Sequence, residues 1–290
     1  MAPILEVKNL RKNFKDFSLK DISFTLDRGY IMGFIGPNGA GKTTTIKLIM
    51  NLLKRDAGQI KIFGYNNDDA DKEIEIKNKI GFVFGENIFY EELTIEEMKG
   101  IIAPFYKYWE ERVFNDLIRD FSLPRRKKIK ELSKGMKIKF SLAVALSHNA
   151  ELLIMDEPTS GLDPIVRSEL LDFLSEYIQD ENKSVFISTH ITSDLDKIAD
   201  YITFINDGSI VFSSPKDDIF EYYSIVKGPK DFLDEDIKKY FVGIKENKFG
   251  FEGLIKEKET AKKLFQDKVI FERPCLEDIM FYFTRGKINV

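Results

Sequence analysis

The strongest constraint on the fold is a glycine-rich segment placed between an apolar run and a helical pattern. The run occupies residues 30–35, the segment reads GPNGAGKTTT from Gly36, and the spacing of Ile46, Ile49 and Met50 predicts the helix that follows. The segment matches G-x-x-x-x-G-K-[ST], in which backbone N–H groups and the positive end of a helix converge on phosphate oxygens. Strand, glycine turn and helix in this order predict a phosphate-binding unit of an α/β fold. The residues expected at the phosphates are Gly36, Pro37, Asn38, Gly39, Ala40, Gly41, Lys42, Thr43 and Thr44.

Two carboxylates and a histidine follow two further apolar runs. The run LLIM leads into Asp156 and Glu157, and SVFIST leads into His190. Both runs are typical of buried parallel strands, whose carboxyl ends bind ligands in open α/β sheets. An acidic pair after such a run is usually only the start of a polar loop. Beside a phosphate loop, it predicts that Asp156 supports a Mg²⁺ shell and that Glu157 polarises an attacking water.

Composition narrows the class of protein. The 290 residues, 43% of them apolar, suffice for one large domain or a domain of about 200 residues with a smaller appendage. The net charge of −4 argues against binding nucleic acid through bulk charge, and the single Cys275 cannot form an internal disulfide. No run approaches the ~20 apolar residues that cross a bilayer, and the N-terminus lacks a secretory pattern. We therefore expect a cytoplasmic protein that reaches a membrane only through a partner.

Four motifs in order resemble one known family. GPNGAGKTT, LSKGM at residues 132–136, LLIMDEPTSGLDP and His190 together resemble the nucleotide-binding subunit of an ABC transporter over about residues 5–215. The surrounding residues and the terminal LEDIM are similar to the bacterial exporter branch that includes bacitracin-export and YtrB-type ATPases. The resemblance implies a P-loop NTPase (ABC ATPase) core of α/β class, with an N-terminal antiparallel β subdomain, a helical subdomain insertion and a small C-terminal lobe. We expect the nucleotide-binding domain at 1–215, its helical subdomain at about 87–150, and a C-terminal accessory region at 216–290.

The resemblance also implies a role for each matching residue, with ATP and Mg²⁺ as ligands. Phe14 would stack on adenine, Lys42 and Thr43 would serve phosphate and metal, Glu157 would be the catalytic base, and His190 would hold the γ-phosphate and the attacking water. Ser133 and Gly135 match the signature loop, and the residues themselves predict Ser133 as an N-cap whose helix offers a second anion site. Thr43, Asp156 and Glu86 are the expected metal ligands.

The resemblance further implies the partners. In the family the signature loop closes on the ATP of a second subunit, and Asp163 lies at the contact between subunits. We therefore expect a head-to-tail homodimer or heterodimer with a second ATPase, integral-membrane permease subunits, no nucleic acid, and a peripheral position on the inner face of the cell membrane. ATP hydrolysis would then drive transport, in the direction of export.

Two positions depart from the family pattern. Where the family usually has a glutamine that contacts Mg²⁺ and the attacking water, this chain has Gly85. Our hypothesis is that Glu86 or Asn87 substitutes, or that metal and water are held without this contact. The second departure is LSKGM in place of the commoner LSGGQ, with Lys134 and Met136 at the changed positions. Because the Ser133 hydroxyl and the Gly135 backbone persist, we expect activity to persist.

Several alternatives stay open at this point. One is a soluble ABC-type regulator acting in translation or DNA repair, and another is a P-loop kinase or GTPase, for which LSKGM and PTSGLD would have no role. A basic cluster could bind nucleic acid or lipid headgroups, although a solvated helical face is the interpretation we favour. Its members are Arg125, Arg126, Lys127, Lys128, Lys130, Lys134, Lys137 and Lys139.

Two aromatic segments bear on how the chain could meet a permease. Ile88, Phe89 and Tyr90 resemble the stretch that faces the permease in the family. A second set of aromatic residues could widen this docking surface or could instead pack in the core. This set consists of Phe105, Tyr106, Tyr108 and Trp109.

Overall fold

The chain forms three β-sheets with helices packed around them, and the computed structural model describes residues 2–233, 235–265 and 269–285. The strands are β1 (Leu5–Asn13), β2 (Ser18–Leu26), β3 (Ile31–Ile35), β4 (Ala57–Ile62), β5 (Tyr65–Asn66), β6 (Ile80–Phe84), β7 (Leu152–Asp156), β8 (Ser184–Thr189), β9 (Tyr201–Asn206), β10 (Ser209–Pro215), β11 (Tyr223–Gly228), β12 (Phe241–Glu246), β13 (Phe251–Lys256) and β14 (Ile270–Glu272). The helices are α1 (Lys42–Ile49), α2 (Glu73–Asn78), α3 (Ile95–Ile102), α4 (Glu111–Asp120), α5 (Lys134–Leu146), α6 (Pro164–Tyr177), α7 (Thr192–Ile198), α8 (Lys216–Tyr222), α9 (Glu235–Lys238), α10 (Lys258–Phe265) and α11 (Leu276–Arg285), with short 3-10 turns at Ala103–Phe105, Ile129–Glu131 and Lys230–Phe232.

The N-terminal sheet is antiparallel, as expected. Its strand order is β2-β1-β4-β5, and Leu5 lies opposite Leu26 on one side and Ile62 on the other. Strands β1 and β2 are each nine residues long. Their buried faces share a hydrophobic cluster with β3 and α1, so this sheet supports the glycine-rich turn from one side.

The central sheet brings the candidate residues to one edge. Its order is β10-β9-β3-β8-β7-β6, in which the five strands from β9 to β6 are parallel and β10 returns antiparallel to β9 through a short turn. Every residue of β3, β7 and β8 is buried, which matches their continuous apolar sequence. Because parallel strands end on the same side, the glycine turn, the acidic pair and His190 emerge together.

The helical insertion carries its own hydrophobic cluster. Residues of α3, α4 and α5 between Ile95 and Val144 pack on one another in it. Thr94 and Glu97 form a reciprocal capping box at the start of α3. Ser133 caps α5 by accepting from the Met136 N–H at 3.2 Å, which confirms the predicted N-cap.

The C-terminal lobe shares its core with the central sheet. Its antiparallel sheet has the order β12-β13-β11-β14. Leu276 and Ile279 of α11 belong to the same hydrophobic cluster as Leu195 of α7 and Ile187 of β8. The lobe therefore supports α7, the helix that follows His190, although the boundary expected at residue 215 stays a prediction. The helices described are all too short or too polar to span a bilayer.

We expect the Leu276→Ala substitution to lower the free energy of unfolding by about 2–4 kcal/mol, because Leu276 is fully buried in the shared cluster. Chemical denaturation measures this. Glu277→Ala is the matched control, since Glu277 is exposed in the same first turn of α11, and should change stability by less than about 0.5 kcal/mol. Equal effects of the two substitutions would contradict a shared core.

Candidate active site

A cleft of about 540 Å³ lies at the edge of the central sheet where the parallel strands end. It brings together the glycine turn after β3, the acidic pair after β7, the histidine after β8 and the loop after β6. Its lining residues are Phe17, Asn38, Gly39, Gly41, Lys42, Thr43, Thr44, Lys47, Phe84, Gly85, Glu86, Lys134, Asp156, Glu157, Ser160 and His190. Concave sites at this position of an α/β sheet are where ligands bind.

The glycine turn offers free backbone donors to the cleft. Gly41 is the N-cap of α1 in a left-handed conformation (φ 113°), and no side chain caps the helix. Glycine adopts this conformation without the penalty that a Cβ imposes. Because the first N–H groups of a helix lack intrahelical acceptors, those of α1 are available to phosphate oxygens. The turn is therefore suited to hold an anion.

Lys42, Glu157 and His190 form a continuous chain of polar contacts in the cleft. The buried Lys42 ammonium donates to the carbonyl oxygens of Gly36 at 2.8 Å and Pro37 at 3.3 Å, and lies 3.2 Å from Glu157 Oε1. Glu157 Oε2 accepts from His190 Nδ1 at 2.7 Å. A neutral His190 then carries its proton on Nδ1, because a carboxylate only accepts, and Nε2 is left as an acceptor that can meet the hydrogen of a water molecule.

Glu157 also has an unusual backbone. Its φ is 51°, in the left-handed region that a residue with a Cβ adopts at a cost of roughly 1 kcal/mol or more. Its N–H is held by the Ser188 carbonyl at 3.0 Å, at the end of β8. This conformation turns the Glu157 carboxylate between Lys42 and His190.

Oxygen ligands suitable for Mg²⁺ meet in the same cleft. Asp156 is buried and accepts from the Ser188 hydroxyl at 2.5 Å, while Thr43 and Glu86 also line the cleft. Carboxylate and hydroxyl oxygens are hard ligands that fit Mg²⁺, which keeps waters and substrate phosphates in its shell. Among the described residues no three His, Cys, Asp or Glu side chains are grouped closely enough to hold a metal alone. This chemistry therefore fits a metal shared with substrate phosphates.

Gly85 has no space for a side chain. Its N–H donates to the Asp156 carbonyl at 2.7 Å, and a Cβ built at this position would lie 2.4 Å from the Glu157 carbonyl oxygen. A glutamine here would force β6 and β7 apart. Of the two neighbours that could substitute, Glu86 lines the cleft, whereas the Asn87 amide donates to the Phe89 carbonyl at 3.1 Å and does not line it.

The adenine-stacking role expected of Phe14 stays a prediction. Phe14 does not line the cleft: its side chain is 44% exposed, and its ring lies 6.4 Å from that of Phe17. Phe17 lines the cleft instead. Sequence reasoning missed Phe17, although a second aromatic residue three positions after Phe14 was a visible signal.

The signature loop contributes one cleft residue that was not expected. Ser133 and Gly135 lie outside the cleft lining, whereas Lys134 between them lines it. Gly135 is buried against α6, where a Cβ would lie 2.9 Å from Val166 Cγ1. Asp163, expected at a subunit contact, caps α6 by accepting from the Ile165 and Val166 N–H groups at 3.1 Å.

The other histidine of the chain is structural. His148 is buried, stacks on Tyr106 with ring centroids 3.9 Å apart, and donates from Nδ1 to the Asn78 carbonyl at 3.0 Å. Burial lowers the pKa of His148, because the charged imidazolium loses its hydration. His148 is therefore held neutral away from the cleft.

The basic cluster is largely neutralised by carboxylates. Arg125 pairs with Glu96, Lys128 and Lys130 with Glu92, Lys137 with Glu91, and Lys139 with Glu169. These exposed pairs fit the interpretation of a solvated helical face.

Comparisons with known proteins agree with this site. The family described as ABC transporter matches residues 19–160, and one described as an AAA domain matches residues 128–196. The bacitracin transport ATP-binding protein BcrA of Bacillus licheniformis is 34% identical, with 75% of this chain and 71% of that protein covered. The ABC transporter ATP-binding protein YtrB of Bacillus subtilis is 30% identical, with 71% of this chain and 69% of that protein covered.

A solved structure supports the same conclusion. The ATP-binding subunit of an ABC transporter superposes with a TM-score of 0.67 at 32% identity, covering 74% of this chain and 91% of that one. The fold and the family resemblance expected from the four motifs are thereby confirmed, and a regulator of translation or DNA repair is not favoured. This chain belongs to the ATP-binding subunits of ABC transporters, which are ATPases that drive transport.

Proposed function

We propose that this chain hydrolyses ATP in the cleft between the glycine turn and the acidic pair, and that it does so as one half of a head-to-tail pair that drives export through a separate membrane permease. The observation that carries the proposal is the Glu157 carboxylate, bridged between Lys42 at 3.2 Å and His190 at 2.7 Å beside free helix N–H groups. A kinase or GTPase would have no use for LSKGM and PTSGLD.

The arrangement supplies the parts of a hydrolytic phosphoryl transfer. The N–H groups of α1 and the Lys42 ammonium bind the β- and γ-phosphates, and Glu157 accepts a proton from the attacking water. Water oxygen bonds to the γ-phosphorus while the bond to the β-phosphate oxygen breaks, which releases ADP and phosphate. Lys42 and Glu157 are paired before phosphate binds. In this proposal a phosphate oxygen takes the place of the Glu157 carboxylate beside the Lys42 ammonium, and Glu157 can then contact the attacking water.

Thr43, Asp156 and Glu86 are the residues we propose as ligands for Mg²⁺. When bound, the ion neutralises phosphate charge and fixes the orientation of the γ-phosphate. Glu86 makes no hydrogen bond or ion pair with the rest of the described chain, so its carboxylate is available. In this proposal Glu86 takes the place of the family's glutamine, which the closeness of Gly85 to Glu157 excludes.

We expect Glu86→Ala to raise the Mg²⁺ concentration needed for half-maximal ATP hydrolysis about tenfold, because the shell loses a charged ligand. Asn87→Ala is the matched control and should change it less than about twofold. Phosphate release across a Mg²⁺ titration measures both. If neither substitution alters ATP turnover or its Mg²⁺ dependence, no substitute for the glutamine operates here.

The proposed pair uses the signature loop and the loop after Glu157. Ser133 is exposed at the start of α5, whose N-terminal N–H groups can face phosphate on a second subunit. Asp163 is exposed at the start of α6. Supporting this proposal, Ser133 and Gly135 lie outside the cleft of their own chain, so their family role would need another subunit's nucleotide.

The permease contact we propose is an exposed apolar surface on the helical part of the chain. Ile88, Tyr90, Phe105 and Tyr108 are each more than half exposed. Their sequence neighbours pack inward instead. The ring centroids of Phe89 and Phe140 are 4.6 Å apart, and those of Trp109 and Phe114 are 5.4 Å apart. The two aromatic segments are thus divided between docking and core. Such a contact would hold the chain on the inner face of the cell membrane.

We expect the chain to sediment with membranes only when it is co-expressed with its permease. The double substitution Tyr90→Glu and Phe105→Glu should reduce the membrane-bound fraction about tenfold or more, since buried aromatic anchors dominate interface energies. Tyr240→Glu, at an exposed tyrosine of the C-terminal lobe, is the control. Membrane recovery of the double variant equal to that of the unsubstituted chain would exclude this surface.

A further inference from the structure

Lys134 extends from the signature helix into the ATP cleft of its own chain. It is the first residue of α5, directly after the Ser133 cap, and it lines the cleft together with Lys42 and His190. Its Nζ would lie 3.3 Å from a Cβ built on Gly161, so the ammonium sits over the backbone that follows Ser160. The side chain thus spans from the helical part to the loop after the acidic pair.

Lys134 differs from the two later lysines of α5, Lys137 and Lys139, in that its ammonium has no carboxylate partner among the described residues. Lys137, one turn further along α5, pairs with Glu91 at 3.5 Å, and Lys139 pairs with Glu169 at 2.6 Å. The Lys134 ammonium forms no ion pair or hydrogen bond with the residues at 2–233, 235–265 and 269–285. Its charge is therefore free to meet an anion in the cleft.

The charges that line the cleft show what the Lys134 ammonium contributes. Three lysines (Lys42, Lys47 and Lys134) face three carboxylates (Glu86, Asp156 and Glu157), and Lys42 is paired with Glu157. Without Lys134 the carboxylates would outnumber the ammonium groups in a site that takes a polyphosphate. Ammonium groups bind phosphate through charge-assisted hydrogen bonds, so Lys134 offsets this imbalance.

We propose that Lys134 is an additional phosphate-binding residue of the ATP site in its own chain, in an inference that rests on the proposed function. The ammonium contacts phosphate oxygens from the part of the cleft next to Gly161, where the start of α5 lies. It adds to Lys42 and replaces none of its contacts. The position that carries a glycine in the commoner LSGGQ pattern here carries a cation.

Binding of a fluorescent ATP analogue to the full chain tests this, at concentrations where light scattering shows the protein to be monomeric. We expect Lys134→Met to weaken binding about fivefold, and the loss to shrink as salt is added. Lys134→Arg should keep the affinity within about twofold, because it retains the charge. Lys137→Met is the matched control on the same helix and should bind like the unsubstituted chain.

The possible outcomes distinguish a failure of this inference from a failure of the proposed function on which it rests. If the Lys134→Met monomer binds ATP with unchanged affinity, the inference is overturned while the proposed ATPase function stands. The same holds if Lys134→Met weakens ATP binding only after two chains have paired. Absence of ATP binding by the unsubstituted chain would overturn the proposed function and the inference with it. Since Lys134 is exposed, equal melting temperatures of the variants will show that the fold is retained.

Discussion

Replacing Glu157 with glutamine should lower the rate of ATP hydrolysis by about 10²–10⁴-fold while ATP still binds. Glutamine keeps the shape of the side chain but cannot accept the proton of the attacking water. ATP would then persist between two subunits, and the variant should accumulate as a pair when it is saturated with ATP and Mg²⁺. Phosphate release and light scattering measure the two effects.

Glu169→Gln provides the comparison, because Glu169 is also paired with a lysine, at 2.6 Å, but lies outside the ATP cleft. We expect its turnover to stay within about twofold of the unsubstituted chain. The account of Glu157 as base would be wrong if Glu157→Gln kept most of the turnover. The account of a shared site would be wrong if that variant stayed monomeric with ATP bound.

Replacing Lys42 with methionine should weaken ATP binding and hydrolysis together by about 10²-fold or more. Methionine fills a similar volume but removes the buried ammonium that Gly36, Pro37 and Glu157 hold in place. Since this cation is positioned before ATP arrives, its loss removes charge stabilisation in both the bound state and the transition state. Titration calorimetry and phosphate release measure the two losses.

Lys54→Met is the matched control, because Lys54 is exposed shortly after α1 and does not line the cleft. It should bind ATP like the unsubstituted chain. If Lys42→Met takes up nucleotide and hydrolyses it at the normal rate, the phosphate site is elsewhere and the function proposed for the cleft fails.

Much of the central site could be predicted because its parts are local in sequence. The glycine turn follows β3 directly, Glu157 follows β7, and His190 follows β8. Parallel strands bring such residues to one edge without any knowledge of side-chain packing. The order of apolar runs and turns was therefore enough to place Lys42, Asp156, Glu157 and His190 together.

The remaining features depend on distances between segments that are far apart in sequence. The exclusion of a side chain at Gly85 comes from the carbonyl oxygen of Glu157, the residue after β7, which would lie 2.4 Å from a Cβ built on Gly85. The presence of Phe17 in the cleft lining depends on how the turn between β1 and β2 lies against the start of α1. The entry of the Lys134 side chain into the cleft depends on how the helical part packs against the loop after β7. Periodicity and motif spacing contain none of this information.

The hydrophobic cluster shared by α11 and α7 limits how this chain can be recombined with its relatives. In a chimera joined at residue 215, a foreign tail would replace the α11 residues that pack with Leu195. Helix α7, which begins two positions after His190, would then lose these hydrophobic contacts. Exchanging the tail therefore requires redesigning the outer face of α7 at the same time. In this subunit, α11 and the central sheet form one core, so the described part of the C-terminal lobe is not an independently exchangeable module.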